Sequence, residues 1–399
     1  MKQNWTYKKL GDIATFSRGL TFAKGDVADM SSKKVLRSNN IDLNCHSLNF
    51  DDVACLNEDF VIPDEKKLHK GDIFICMSNG STQHLGKVAF VEEDIDYAFG
   101  GFMGAIHPNQ SETNSKFVFY ACLSHEYRRF LSSVFNGVNI NNLKWSDLSK
   151  FSIPVPPIET QSRIVSELDL LQSIIDKQQA QLKELDKLAQ SIFYDMFGDP
   201  VENEKGWDVI EMGELFEIGS SKRVFEAQWT ESGVPFYRAR EIVKLSKNEP
   251  IDSPIFISEE LYQEYSKKYG VPSAGDMMVT AVGTLGVTYI VKASDKFYFK
   301  DGNTLWFKSK GLCETRFIKD EYSTDYVIRQ IQGNANAAVV GTYTIMNAKK
   351  TKVVVPPISL QKKYVAIVES IEKQKDAISQ SIAETQKLFD YTMDKYFGE

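Results

Sequence analysis

The sequence predicts an α+β protein: two globular modules with small β-sheet cores, joined to two long helices that pair as an antiparallel coiled coil with pseudo-twofold symmetry. Three observations lead there. Landmarks recur about 200 residues apart, β-rich segments end at paired prolines, and apolar residues beyond each proline pair adopt heptad spacing.

The repeat sets the domain plan. Trp5-x4-Leu10-Gly11-Asp12-Ile13 returns as Trp207-x4-Met212-Gly213-Glu214-Leu215, and Lys70-Gly71-Asp72-Ile73 returns as Ala274-Gly275-Asp276-Met277. Ile153-Pro154-Val155-Pro156-Pro157-Ile158 matches Val353-Val354-Val355-Pro356-Pro357-Ile358, and a glutamine follows in each copy, Gln161 or Gln361. The stretch ending Phe197-Gly198 corresponds to the one ending Phe397-Gly398. Landmarks kept in one order over so long a period mark a duplicated module and not a solenoid. The globular parts are then residues 1–155 and 204–355, and the helical parts 156–203 and 356–399.

Within the first module, segments 73–77, 87–91 and 151–155 are rich in strand-forming residues and bounded by Gly, Asn or Pro. Segments 277–281, 287–291 and 353–355 take their places in the second. Helical spacing of apolar residues predicts short helices around 117–131 and 316–332. The proline pair stops the last strand, since proline gives a ladder no amide hydrogen.

Beyond the prolines, Ile164, Leu168, Leu171, Ile175, Gln178, Leu182, Leu185, Ala189 and Ile192 alternate spacings of four and three. That is a heptad seam with one polar interruption, at Gln178. The second copy runs Tyr364, Val368, Ile371, Lys375, Ile378, Ile382, Thr385 and Phe389, and is weaker where Lys375 and Thr385 replace apolar residues. Each helix covers roughly 50–60 Å at 1.5 Å per residue. Neither buries its seam alone. The simplest closure pairs the two within the chain; the alternative is pairing with other subunits.

Composition narrows the function classes. The 399 residues are 42% hydrophobic and 25% charged, and no apolar run approaches the ~18 residues of a membrane span. The first ten residues are polar and carry no signal-peptide core, so a cytoplasmic location is expected. Cys45, Cys55, Cys76, Cys122 and Cys313 are scattered without a C-x-x-C pair, and His46, His69, His84, His107 and His125 form no ligand pattern. Neither a disulfide framework nor a metal site is expected. The net charge is −7, but segments 156–200 and 356–399 hold −4 and −1 of it, leaving the rest of the chain nearly neutral. A local basic stripe suffices for a nucleic-acid face.

Catalytic motifs fail in turn. Gly80 to Gly86 encloses five residues, and Val88 follows Lys87, whereas a phosphate-binding P-loop needs four and then Ser or Thr. Phe99-Gly100-Gly101-Phe102-Met103-Gly104 reads as a Gly-rich strand and not as a turn for S-adenosylmethionine. No Asn-Pro-Pro-Tyr tetrapeptide is present, and Pro63-Asp64 lacks a following Glu-x-Lys. A non-catalytic chain is expected.

What remains is a set of polar, Gly-punctuated loops in both modules. The first offers Arg37, Asn39, Asn40, Ser78, Asn79, Ser81, Thr82, Gln83, Asn139, Asn141 and Lys144. The second offers Lys222, Arg223, Arg238, Arg240, Thr284, Asn334, Asn336, Thr342 and Tyr343. Arginine pairs with guanine edges and Asn or Gln with adenine, while Lys, Ser and Thr suit phosphates. Any one loop alone reads more readily as a surface turn; two sets in corresponding places favour DNA recognition.

The Trp5 and Trp207 openings, the Gly71 and Gly275 turns, the Pro156 and Pro356 junctions and the heptad helices together resemble the specificity subunit of type I restriction–modification systems. The likeness spans the whole length. It implies two target recognition domains reading the halves of a bipartite DNA site, with helices that act as a spacer and dock two adenine-methyltransferase subunits. It also implies restriction and translocase subunits in the complex, with S-adenosylmethionine, ATP and magnesium held by the partners. Base contacts vary within that family, so no loop residue is fixed by resemblance. The competing readings are a coiled-coil adaptor without a DNA role and a self-contained restriction or modification enzyme.

Overall fold

The computed structural model describes residues 5–43, 45–81, 84–135, 142–252, 254–333 and 341–398. The chain divides into two compact units, Met1–Ala180 with Ile378–Glu399, and Gln181–Ala377. The two long helices, Ile158–Phe197 and Ile358–Phe397, are each divided between them. Each unit thus holds one globular part and two helical stretches.

In the first unit the strand Thr6–Lys9 pairs antiparallel with Ser152–Val155, Thr6 opposite Val155. Chain entry and chain exit are therefore neighbours at the base of the helix. Leu10 N–H donates to Phe151 O at 2.7 Å and Gly11 N–H to Ser149 O at 3.0 Å. A Cβ on Gly11 would come within 2.8 Å of Ser149 Cβ, which explains the glycine of the opening motif. A four-stranded sheet follows in the order Ala14–Arg18, Met103–Pro108, Ile73–Cys76, Val88–Phe90. All four residues of Ile73–Cys76 are buried, as a continuous apolar run requires. A five-stranded sheet contains one parallel pair, Lys34–Leu36 with Ile95–Phe99.

The second unit repeats this frame. Asp208–Glu211 pairs with Lys352–Val355, and a four-stranded sheet runs Phe216–Gly219, Thr304–Ser309, Met277–Thr280, Thr288–Ile290. Val234–Tyr237 lies parallel to Tyr298–Phe299, just as Lys34–Leu36 lies along Ile95–Phe99. The repeated Gly-Asp turns are structural. Gly71 and Gly275 adopt φ of +90° and +89°, which other residues rarely do. Asp72 then accepts from His69 N–H and Asp276 from Ser273 N–H, each at 2.8 Å.

The short helices differ from expectation. Residues 117–131 form two helices, Ser115–Ala121 and His125–Phe135, and the second copy likewise gives Thr315–Glu321 and Asp325–Gly333. A hydroxyl makes each break: Ser124 Oγ and Thr324 Oγ1 donate back to the carbonyls of Ala121 and Glu321 at 2.7 and 2.6 Å. Among the helices that the sequence pattern does not predict are Ala239–Ser246 and Glu259–Tyr269. The latter carried its signals, a Ser258 hydroxyl accepting from Leu261 N–H and Gly270 in a left-handed conformation just past its end.

The glutamine after each proline pair is a clip. Proline leaves a carbonyl but no amide, and the chain turns there into a helix. Gln161 is fully buried; its amide donates to Pro156 O at 2.8 Å and its oxygen accepts from Asn114 N–H at 2.8 Å. Gln361 makes the same pair of bonds with Pro356 O and Glu314 N–H, at 2.7 and 2.9 Å. Only a side chain with both a donor and an acceptor does this, and glutamine has both.

The helices run antiparallel inside each unit. In the first, Tyr396 donates to Glu167 at 2.7 Å and Gln178 to Ser381 Oγ at 2.7 Å. Ile164, Leu168 and Leu171 are buried in one core with Phe117, Phe389, Met393 and Phe397, and Ile175 is buried further along the same seam. In the second unit Lys375 pairs with Asp186, and Phe193, Phe197, Phe317 and Tyr364 form an aromatic cluster with centroids 4.8 to 6.2 Å apart. Val368 and Ile371 are buried there. Leu182, Leu185, Ile378 and Ile382, midway along the helices, are only half-buried, and Ile192 is half-buried against the core of the second unit. The weak seam positions are accommodated by their polarity: besides the Lys375 pair, Thr385 donates to Ser381 O at 2.8 Å.

Glu321 lies fully buried in the second unit, where the first has Ala121. One carboxyl oxygen accepts from Val354 N–H at 2.6 Å. Burial pushes the carboxyl well above its ordinary 4.5, outweighing the pull of that amide. The folded unit therefore binds a proton that the unfolded chain releases, so its stability falls as pH rises above the ordinary carboxylate range.

Two outcomes follow for unfolding in urea. Gln161→Glu sets an oxygen against Pro156 O and lowers stability by about 2–3 kcal/mol at pH 7. Glu321→Ala gains on wild type between pH 5 and pH 8, by at most ~1.4 kcal/mol per pH unit; parallel profiles would refute the buried proton.

Candidate nucleic-acid interface

The first unit brings several predicted loop residues to one place. Arg37 follows the strand Lys34–Leu36, and Ser78 and Asn79 follow the buried strand Ile73–Cys76. Together with Asn39, Phe22 and the turn Gly100-Gly101-Phe102 they line a groove of about 880 Å³. Ser81 adjoins it, its N–H donating to Asn79 Oδ1 at 2.9 Å. Lys144 is exposed next to the same rim, because Leu143 N–H bonds Met77 O at 2.7 Å and Ser78 bridges Asn142.

The partners of these side chains decide what each is free to do. Arg37 meets Asp52 at 3.5 Å with both groups well exposed, and Asn39 donates to Asp52 Oδ2 at 3.1 Å. An exposed pair of that kind is worth only about 0–1 kcal/mol, so a ligand can displace it. Asn40 differs. It is buried, accepts from Arg37 N–H at 2.7 Å and donates to Asn49 O and Asp52 O. The sequence reading placed it among the base readers; burial makes it the support that holds the Arg37 loop.

The second unit builds the corresponding place differently. Leu143 N–H to Met77 O has its counterpart in Tyr343 N–H to Ala281 O at 2.9 Å, which sets exposed Thr342 beside the end of the strand Met277–Thr280. Thr284 is exposed in the turn that follows this strand. Lys222 and Arg223 are exposed near the turn before Thr304–Ser309, where Arg223 pairs with Asp301 at 2.8 Å. Arg238 stands where Arg37 stands in the first unit, but it is tied to buried Glu241 at 2.8 Å, and Arg240 bonds the same carboxylate. Burial opposes that charge, yet the hydrogen bonds from the two arginines prevail and keep the Glu241 carboxyl below its usual range. Tyr343 also departs from expectation. It is buried, its hydroxyl 2.6 Å from Thr351 Oγ1 and 3.2 Å from that of Tyr322, and it belongs to the core.

Thr82, Gln83, Asn139, Asn141, Asn334 and Asn336 lie outside the described residues. Phe102 was passed over in the sequence because its Gly-Gly context reads as strand; it is 74% exposed at the groove. One further constellation has a catalytic look. Ser17 Oγ lies 2.8 Å from His107 Nε2, and His107 Nδ1 lies 2.6 Å from Asp72 Oδ1. The three sit on adjacent strands and the Gly-Asp turn, where the bonds tie sheet to turn, and they do not line the groove.

The family-model comparison finds the type I restriction modification DNA specificity domain twice, over residues 2–187 and 204–387. A Haemophilus influenzae protein named for a type I restriction enzyme specificity subunit is 25% identical over 336 residues, 81% of this chain and 82% of that protein. The EcoKI specificity subunit of Escherichia coli is 27% identical over 209 residues, covering 51% of this chain and 44% of its own length. Among solved structures, the S subunit of the type I restriction–modification system of M. genitalium shares the fold with a TM-score of 0.60 at 16% identity, over 99% of this chain and 96% of that one. With both modules matched over nearly their full extent, the chain belongs to the type I restriction–modification DNA specificity family.

The different standing of neighbouring asparagines has a measurable consequence. Asn40→Ala should cost about 2 kcal/mol of stability, since it strands buried backbone groups. Asn39→Ala should change it by less than ~0.5 kcal/mol, as exposed substitutions do. Equal effects in urea unfolding would refute the assignment.

Proposed function

We propose that the chain is the non-catalytic sequence-specificity subunit of a type I restriction–modification complex. Each globular part reads one half of a bipartite DNA target. The long helices set the gap between half-sites and dock two adenine-methyltransferase subunits, which carry S-adenosylmethionine; restriction and translocase subunits supply ATP- and magnesium-dependent steps. The observation that carries this reading is one loop frame built twice with different side chains.

The frame gives each side chain a physical role. Arg37 exchanges an exposed, weak ion pair for the O6 and N7 of a guanine, a bidentate contact that its planar fork fits. Lys144 and Lys222 are exposed cations suited to phosphates, which position the chain without reading sequence. Arg238 is a positioning residue, since leaving Glu241 would strand a buried carboxylate. Overall negative charge does not oppose binding, because the acidity lies mostly on the helices.

Arg37→Ala in the assembled complex should relax the preference at one base pair by about 1–3 kcal/mol and leave the other half-site unchanged. Lys144→Ala should weaken binding to all sequences and reduce the salt slope by about one unit. Removing one heptad from each long helix should shorten the gap by about three base pairs, ~10 Å at 1.5 Å per residue and 3.4 Å per base step. Methylation mapping reads this directly, and an unchanged gap would refute the spacing role.

A further inference from the structure

We infer that Phe102 is a base-stacking residue of the first unit, and that the groove beside it seats one nucleobase of the half-site drawn out of the duplex stack. The inference rests on the DNA-reading role proposed above and extends it to a side chain outside the polar loops.

The ring is presented on purpose-built backbone. Phe102 O accepts from both Met77 N–H and Ser78 N–H, at 2.9 and 3.0 Å, and Met103 N–H bonds Gly100 O at 2.8 Å. Gly100 N–H reaches Leu36 O at 2.9 Å, and Leu20 N–H reaches Phe99 O at 2.6 Å. The segment at Gly19 approaches so closely that a Cβ there would lie 2.0 Å from Gly100 O. A turn held this way has little freedom to fold its side chain inward, yet the phenyl ring is 74% exposed. Leaving a rigidly held aromatic ring in water forfeits its burial energy, and contact with a ligand recovers it.

The groove's chemistry selects the ligand. Phe22 and Phe102 contribute apolar surface, while Arg37, Asn39 and Asn79 contribute donors and acceptors. A nucleobase has flat apolar faces and a hydrogen-bonding edge, the same two characters side by side. Stacking on an aromatic ring is available to a base only once it leaves its neighbours. The second unit lacks this device: its turn before Thr304–Ser309 holds Asp301 paired to Arg223, with no aromatic residue. The contact therefore belongs to one half-site only.

The test uses the full chain with its methyltransferase partners and a duplex bearing the bipartite motif found by methylation mapping. 2-Aminopurine replaces one base at a time, the methyl-accepting adenines excepted. Binding should raise fluorescence several-fold at one position in one half-site. Phe102→Ala should abolish that rise and weaken binding about 5- to 150-fold, and Phe102→Tyr should restore both. The thermal midpoint of the alanine variant should match wild type, since the ring packs in no core. A wild-type complex with no responsive position, or an alanine variant that behaves as wild type, overturns the inference and leaves the reading role standing. A wild-type complex with no sequence preference at all overturns both.

Discussion

Each long helix carries an apolar seam that its own module covers only at one end, and the rest of the molecule is arranged around that deficit. The solution is antiparallel pairing, so that each unit contains the opening stretch of one helix and the closing stretch of the other. Aromatic residues do the anchoring where the helices meet a globular part: Phe117 and Phe389 with Phe397 in one unit, Phe193 and Phe197 with Tyr364 in the other. Away from those ends the seam has only two helices to bury it, and polar residues there cost little. Gln178 bonding Ser381 and Lys375 pairing with Asp186 fix register where hydrophobic contact is thinnest.

The duplication preserved roles while exchanging residues. In the first unit a tyrosine on a short helix, Tyr120, bonds an acid on the long helix, Asp169, at 2.6 Å. In the second the long helix supplies the tyrosine, Tyr364, and the short helix the acid, Asp320, at 2.8 Å. The Gly-Asp turns show the same freedom. Asp72 is bonded by His107, whereas Asp276 is bonded by the Trp306 indole at 2.9 Å. What persists is a buried acceptor in need of a donor; the donor's identity is open.

That distinction explains what the sequence revealed. Heptad spacing, proline pairs and buried strands follow periodicities that single residues obey, so 164 to 175 and 73 to 76 could be read directly. The glutamine clip was visible as a recurrence, but its meaning needed the Pro156 carbonyl to be seen facing Gln161. Asn39 and Asn40 are indistinguishable as letters; a one-residue difference in a short turn of helix sends one outward and the other into three hydrogen bonds. Phe102 was missed for the opposite reason, because an aromatic beside two glycines resembles a strand until its exposure is known. The second sheets rest on pairings distant in sequence, which local pattern does not encode.

A reader of variable targets must change its contacts without losing its fold, and the loops meet that demand by separating support from surface. In both units an arginine follows the parallel-paired strand, and a side chain three residues on accepts from its backbone N–H: Asn40 for Arg37, Glu241 for Arg238. The support lies in a buried acceptor, while a neighbouring position such as Asn39 points outward. Substituting an outward residue alters chemistry at the groove and strands no buried group. Substituting the acceptor frees the loop itself. Selection for new sequence preference can then act on the outward positions of one unit at a time, with the helices and the clipped proline junctions held constant beneath both.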